Sequence, residues 1–212
     1  MKPVRILIVD DHEVVRQGVR AVLEAQTGWV ICGEASNGRE AVAKAVELRP
    51  DIVVLDISMP ELNGLEAARQ IRHAVPAKML ILTVHESDQV VTEVVEAGAD
   101  GYLLKTDAGR KLVEAIRALL QHQKFFTEWI RTAGSNRGQV TGKQTSSRRL
   151  TPRQREILQL LTEGKSNKEI GATLGMTTKT AETHRTQIMA KLNLHSMSEL
   201  VRYAIRNRII EP

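Results

Sequence analysis

A doubly wound parallel α/β sheet joined to an all-α unit of four helices is the fold class this sequence predicts. Three observations carry the prediction. Short apolar runs alternate with helix-period segments over the first 120 residues. Residues 133–149 show no periodicity at all. From residue 150 onward the only hydrophobic period is that of a helix.

The apolar runs occupy residues 4–9, 29–33, 52–55, 79–82 and 101–104. They are rich in Val, Ile and Leu, and most lack polar alternation, which is how strands covered on both faces read. Helical patterns follow them at 13–25, 38–48, 64–74, 87–97 and 107–120. In the last of these, Leu112, Ile116, Leu119 and Leu120 make one apolar stripe. Five such units predict a five-stranded sheet with right-handed crossovers. Segment 121–132 is expected to extend the last helix or to form a short one of its own. Residues 133–149, with three Gly and three Ser, read as a flexible linker. The expected domains are therefore 1–122 and 148–212, separated by a linker at 123–147 that starts helical and then loosens.

Past the linker, Thr151 and Pro152 read as an N-cap followed by proline at the first helical position. Ile157, Leu158, Leu160 and Leu161 give this helix its core face, and Gly164 ends it. Ser166 opens a short second helix that Gly175 stops. A third helix is expected over 178–192 and a fourth over 196–208. Together they are enough to close a small core.

Composition narrows the function. With 42% hydrophobic and 26% charged residues the chain is globular. No apolar run approaches the ~20 residues that span a bilayer, and the N-terminus is not a signal peptide. The single cysteine, Cys32, excludes an internal disulfide and a cysteine-cluster metal site. It reads as a small buried apolar residue, and the expected home is a reducing cytoplasm without a membrane partner. The net charge of +5 divides into −3 for residues 1–124 and +8 for the remainder. The basic part calls for an anionic partner, nucleic acid first. An aromatic content of 3% argues against stacking on single-stranded bases.

In an open α/β sheet ligands bind beyond the carboxyl ends of the strands. Asp10 and Asp11 follow the first strand, Asp56 follows the third, Thr83 ends the fourth and Lys105 follows the fifth. Three acids in one cleft repel each other, and a hard divalent cation with oxygen ligands relieves the repulsion. Mg2+ suits such a set. Lys105 adds the fixed positive charge that a transferred phosphoryl group needs, and Thr83 adds a hydroxyl. A carboxylate, a metal, a lysine and a hydroxyl are the parts required to make an aspartyl phosphate. Asp56 is the better nucleophile, because Asp10 and Asp11 make a natural metal-holding pair.

The segments LIVDDH, LDISMPELNG, LTVH and GYLLK resemble the signature segments of response-regulator receiver domains, in order, over roughly residues 3–122. The resemblance implies that Asp56 accepts phosphate from a histidine kinase. It implies that Asp10, Asp11, Asp56 and the backbone carbonyl of Ser58 hold Mg2+. Thr83 and Tyr102 correspond to the switch pair, and Lys105 to the lysine that contacts the phosphoryl group. Thr106 stands where many receivers have proline, which removes the reason to expect a cis bond there. The implied chemistry is acceptance of phosphate and slow self-dephosphorylation, not turnover of a substrate.

Residues 148–212 carry 12 Lys and Arg against 6 Glu. Residues 166–192 have the outline of a helix–turn–helix. Rotating the longer helix at about 100° per residue puts Ala181, Ile188 and Leu192 toward the core. Lys179, Thr183, Thr186 and Ala190 then lie opposite, with Glu182 on the flank. A lysine and small hydroxyls suit the major groove of double-stranded DNA, where Thr can either bond a base edge or touch a thymine methyl. From LTPRQREIL to VRYAIR the segment resembles a LuxR-type helix–turn–helix domain. The whole chain is similar to NarL/FixJ-type response regulators. The resemblance implies that 178–192 is the recognition helix; Thr180–His184 departs slightly from the family pattern, and Lys179, Glu182, Thr183, Arg185 and Thr186 are the expected DNA-facing residues. It also implies control of transcription through a homodimer formed on phosphorylation or DNA binding. Met197, Leu200, Val201, Ala204 and Ile205 exceed what one helix face needs for a core and offer a pairing seam. His184 and His195 have no partner at metal spacing and read as packing or phosphate-contact residues. A phosphatase using Asp56 would need a second acid two positions on, where this chain has Ser58. A receiver that ignores phosphate would not need the full acceptor, metal and lysine set.

Overall fold

The computed structural model describes residues 2–84, 87–126, 150–207 and 209–210. They fall into two compact units. The first is a parallel sheet of six strands: β1 (Val4–Val9), β2 (Trp29–Ala35), β3 (Ile52–Leu55), β4 (Lys78–Thr83), β5 (Gly101–Leu104) and β6 (Phe125–Phe126), in the order β2-β1-β3-β4-β5-β6. Helices α1 (Glu13–Glu24), α2 (Gly38–Leu48), α3 (Gly64–Ala74), α4 (Asp88–Glu96) and α5 (Ala108–Leu120) connect them.

Both parities of the inner strands are buried. Ile6, Ile8, Ile52, Val54, Leu80, Leu82 and Leu103 form one core with Val19 and Leu23 of α1 and Leu112, Ala115, Ile116 and Leu119 of α5. Leu7, Val9, Val53, Leu55, Met79 and Ile81, of the opposite parity, are equally buried. This accounts for the uninterrupted apolar runs, since no face of these strands meets water. β2 lies at the sheet edge, and most of it is only half-buried. Cys32 shares that exposure, which corrects its reading as a core residue. Its Sγ donates to the Ile6 carbonyl at 3.4 Å, and burial pushes the thiol pKa up.

The sheet has one strand more than the five expected. Helix α5 ends at Leu120, and the chain reverses through His122, whose φ of 60° is left-handed. Phe125 and Phe126 then pair in parallel with Gly101 and Tyr102 of β5. Residues 125–126, expected to be helical, are therefore strand, and the rest of the segment to 132 lies outside the described residues. A run of two residues is too short to show a period, and only the partner strand makes it a strand. The flexible linker expected at 133–149 lies outside the described residues.

The second unit has four helices: α6 (Pro152–Thr162), α7 (Asn167–Leu174), α8 (Thr178–Leu192) and α9 (Met197–Arg206). Thr151, Ser166 and Ser196 each close a capping box, with Gln154, Glu169 and Glu199. The last helix starts one residue later than expected because Ser196 is its cap. Leu150, Ile157, Leu158, Leu160, Leu161, Ile170, Leu174, Ala181, Ile188 and Leu200 make the core. Between α7 and α8 the chain turns tightly. A Cβ on Gly171 would stand 2.8 Å from the Met176 carbonyl oxygen, so this close approach needs glycine.

Candidate functional site

Strand register assembles the acidic site. Val9 pairs with Leu55, and Asp56 N donates to the Val9 carbonyl at 2.9 Å. The next residues, Asp10 and Asp56, therefore emerge side by side at the carboxyl end of β1 and β3. Both are almost fully buried, whereas Asp11 is exposed. Thr83 pairs with Leu104 across β4 and β5, which brings Lys105 to the same end. Its Nζ lies 2.9 Å from Asp56 Oδ2 and 2.7 Å from Asp10 Oδ2. The contact to Asp10 is an ion pair without hydrogen-bond alignment, so this buried oxygen has a charge beside it but no donor aimed at it. A cation bound here would share this oxygen with the Lys105 ammonium.

Ligand atoms of Asp10, Asp11, His12 and Asp56 all lie within 4.8 Å of one another, the one such group among the described residues. His12 went unassigned in the sequence reading. Its Nδ1 is 2.8 Å from Asp11 Oδ1, and its backbone N–H donates to Asp10 Oδ1 at 2.9 Å. The only local sign was its place directly after the acid pair. The hard carboxylate oxygens of this group fit Mg2+.

The loop after β3 is held close to the acid. Ile57 N donates to Asp56 Oδ1 at 2.8 Å, and Gly64 N to the Ile57 carbonyl at 2.8 Å. A Cβ on Gly64 would come within 1.8 Å of the Asp56 carbonyl oxygen, so no larger residue fits. Ser58 is half-buried on this loop, two positions past Asp56. Thr83 is fully buried at the end of β4. Tyr102 is buried on β5, paired in register with Ile81. No cis peptide occurs among the described residues, and Lys105–Asp107 form a short 3-10 turn leading into α5.

Charge balance sets the protonation of the site. Burial raises the Asp56 pKa to about 6 from an ordinary 3.8, against the opposing pull of the Lys105 charge. Burial alone would depress the Lys105 pKa. The Asp56 charge, with the contacts to both acids, overcomes that and holds it above the ordinary value. One ammonium among several carboxylates leaves a negative well suited to a cation.

On α8, Ala181 and Ile188 are buried and Leu192 half-buried, while Lys179, Glu182, Thr183, Arg185, Thr186 and Ala190 are exposed. The rotation expected from the sequence is the one observed. Lys179 Nζ pairs with Glu182 Oε2 at 2.9 Å. Thr183 and Thr186 donate to the carbonyls of Lys179 and Glu182 on their own helix, at 2.9 and 3.1 Å. His184 is half-buried and His195 exposed, outside the cluster of metal-holding groups. On α9, Leu200 and Ala204 are buried, and Met197, Val201 and Ile205 keep part of their surface exposed.

Comparison with known proteins places both units. Residues 6–117 match the response regulator receiver domain, and residues 148–204 match the bacterial regulatory proteins of the luxR family. The transcriptional regulatory protein LiaR of Bacillus subtilis is 41% identical over 209 residues, covering 98% of this chain and 99% of its own. A structure of the RcsB response regulator of Salmonella typhimurium, on conformational dynamism for DNA interaction, is 26% identical, with a TM-score of 0.59 and coverage of 96% of this chain and 98% of that one. Another RcsB structure, of two dimers bound to two parallel DNAs, is 25% identical, with a TM-score of 0.58 and coverage of 95% and 98%. Among the described residues no helix is long and apolar enough to cross a membrane. This chain belongs to the response regulators that join a receiver domain to a LuxR-type DNA-binding domain, the transcriptional regulators of two-component systems.

Proposed function

We propose that Asp56 is the phosphoacceptor of this regulator and that its phosphorylation controls dimerisation and DNA binding. The observation that carries this reading is the position of Asp56: buried, 2.9 Å from the Lys105 ammonium and beside Asp10. An Asp56 carboxylate oxygen attacks the phosphorus of a histidine kinase phosphohistidine. The P–N bond breaks as the new P–O bond forms, and the electron pair leaves with the imidazole. Lys105 then faces the charge on the transferred group. Asp10, Asp11, Asp56 and the Ser58 carbonyl would hold Mg2+, which when bound neutralises phosphoryl charge. Thr83 and Tyr102 answer the new charge from the adjoining strands.

The receiver extends past the expected residue 122 to include β6 at Phe125–Phe126, and 148–212 is the DNA-binding domain in this reading. Lys179, Glu182, Thr183, Arg185 and Thr186 face double-stranded DNA, and Val201 and Ile205 supply the seam between two copies. The structure of two RcsB dimers bound to two parallel DNAs supports a dimer on DNA. The chain accepts phosphate on itself and does not turn over a substrate.

The test is incubation with acetyl phosphate and Mg2+, read by intact mass. The wild type gains one phosphoryl group that hydroxylamine removes, and Asp56→Asn gains none. Labelling of Asp56→Asn at the wild-type rate overturns the assignment.

A further inference from the structure

The outward face of α8 carries two threonines whose hydroxyl hydrogens are already used. Thr183 Oγ1 donates to the Lys179 carbonyl at 2.9 Å, and Thr186 Oγ1 to the Glu182 carbonyl at 3.1 Å. A hydroxyl has one hydrogen, so neither side chain can donate to a base without breaking a bond it has made. With Oγ1 held against the preceding turn, the Cγ2 methyl occupies a different staggered position. Both residues are exposed and lie three positions apart, hence on one stripe of the helix. Lys179 and Glu182 flank them and pair at 2.9 Å in an exposed contact that a phosphate can displace. What these two side chains offer to a groove is a pair of methyl groups.

We propose that Thr183 and Thr186 recognise thymine, by contact of their methyl groups with the thymine C5-methyl in the major groove, and not by hydroxyl hydrogen bonds. The inference rests on the reading of α8 as the helix that enters DNA, and it decides between the two modes that the residue type alone allows. The major-groove edge of a G·C pair has no methyl, so the ligand class is duplex DNA with thymine under α8. Residues at this helical spacing have Cβ atoms about 5–6 Å apart. That is one to two base-pair steps of about 3.4 Å, so the two thymines lie one or two base pairs apart.

The test uses the full chain treated with acetyl phosphate and Mg2+. A random duplex library is first put through rounds of binding selection, and the enriched duplex is then titrated by fluorescence anisotropy. Replacing its thymines by deoxyuridine removes only the C5-methyl. Wild-type protein should lose about fourfold in affinity per contacted methyl, the worth of one buried carbon group. Thr183→Val and Thr186→Val keep a methyl and remove the hydroxyl, and they should keep the roughly fourfold preference for thymine over deoxyuridine. Thr183→Ser and Thr186→Ser keep the hydroxyl and remove the methyl. They should show the deoxyuridine loss on thymine duplex and no further loss on deoxyuridine duplex. Equal wild-type affinity for both duplexes overturns the inference, as does a loss with Val that Ser does not share. The deoxyuridine arm needs no substitution in the protein, so a misfolded variant cannot hide the answer. Failure to enrich any sequence overturns the DNA reading of α8 itself, and this inference with it.

Discussion

Lys105 donates to Asp56 across 2.9 Å, although 49 positions separate them in the chain. The same ammonium stands 2.7 Å from Asp10. A buried ion pair of this kind is poor evidence for stability, because desolvation consumes much of its attraction. It makes sense as a prepared site, in which the cation is in place before a further anionic group arrives.

That preparation has a measurable stability cost. The folded Asp56 carboxyl titrates at about 6, above its ordinary 3.8. Between these values the folded protein holds a proton that the unfolded chain has lost, so stability falls as pH rises through the window. Asp56→Asn should remove this dependence and stabilise the receiver by roughly 3 kcal/mol at neutral pH. Urea unfolding in EDTA at pH 4 and pH 7 checks it. An identical pH dependence in the variant would contradict the burial argument.

Metal and phosphoryl roles should separate. Asp11→Ala removes an oxygen donor and should weaken Mg2+ binding by about tenfold or more. Lys105→Ala should leave Mg2+ binding intact or tighter, because a competing cation is gone. It should also uncouple phosphorylation from any gain in DNA affinity. Isothermal titration with Mg2+ on both variants, followed by DNA titration, reads the difference; reversed effects would exchange the two roles.

Gly64→Ala should damage the acidic site through backbone alone. Its Cβ would press on the Asp56 carbonyl at 1.8 Å, so the loop must shift. The expected loss is about 2 kcal/mol or more in stability, with slower acetyl-phosphate labelling. Wild-type stability and labelling together would show that the loop yields freely.

Lys179→Ala should weaken DNA binding by a similar factor on every sequence and lower the salt slope by about one unit, as loss of one phosphate contact does. The exposed Glu182 pair is worth little and should not prevent Lys179 from reaching a phosphate. A loss confined to the preferred site would make Lys179 a base reader.

Val201→Glu and Ile205→Glu should block pairing of two copies with little effect on folding, since neither residue is fully buried. Acetyl phosphate should shift the wild type, but not these variants, toward dimer in sedimentation. Fragment 148–212 should bind DNA with no response to phosphate. Dimerisation of the variants equal to wild type would move the seam elsewhere.

Much of this molecule was legible in its residues because the signals are local. Apolar runs without alternation marked the inner strands. Ser and Thr caps marked the helix starts, and acids at successive strand ends marked the site. The edge strand β6, the partial exposure of Cys32 and the contact of His12 with Asp11 were not legible, since each depends on which segment lies alongside. Only the tertiary structure decided that Asp10, Asp56 and Lys105 meet within hydrogen-bond range, because strand register is a pairing between distant segments. It also decided where the Thr183 and Thr186 hydroxyls go. A residue's identity supplies donor and methyl alike, and the folded helix selects which of them is left to face outward.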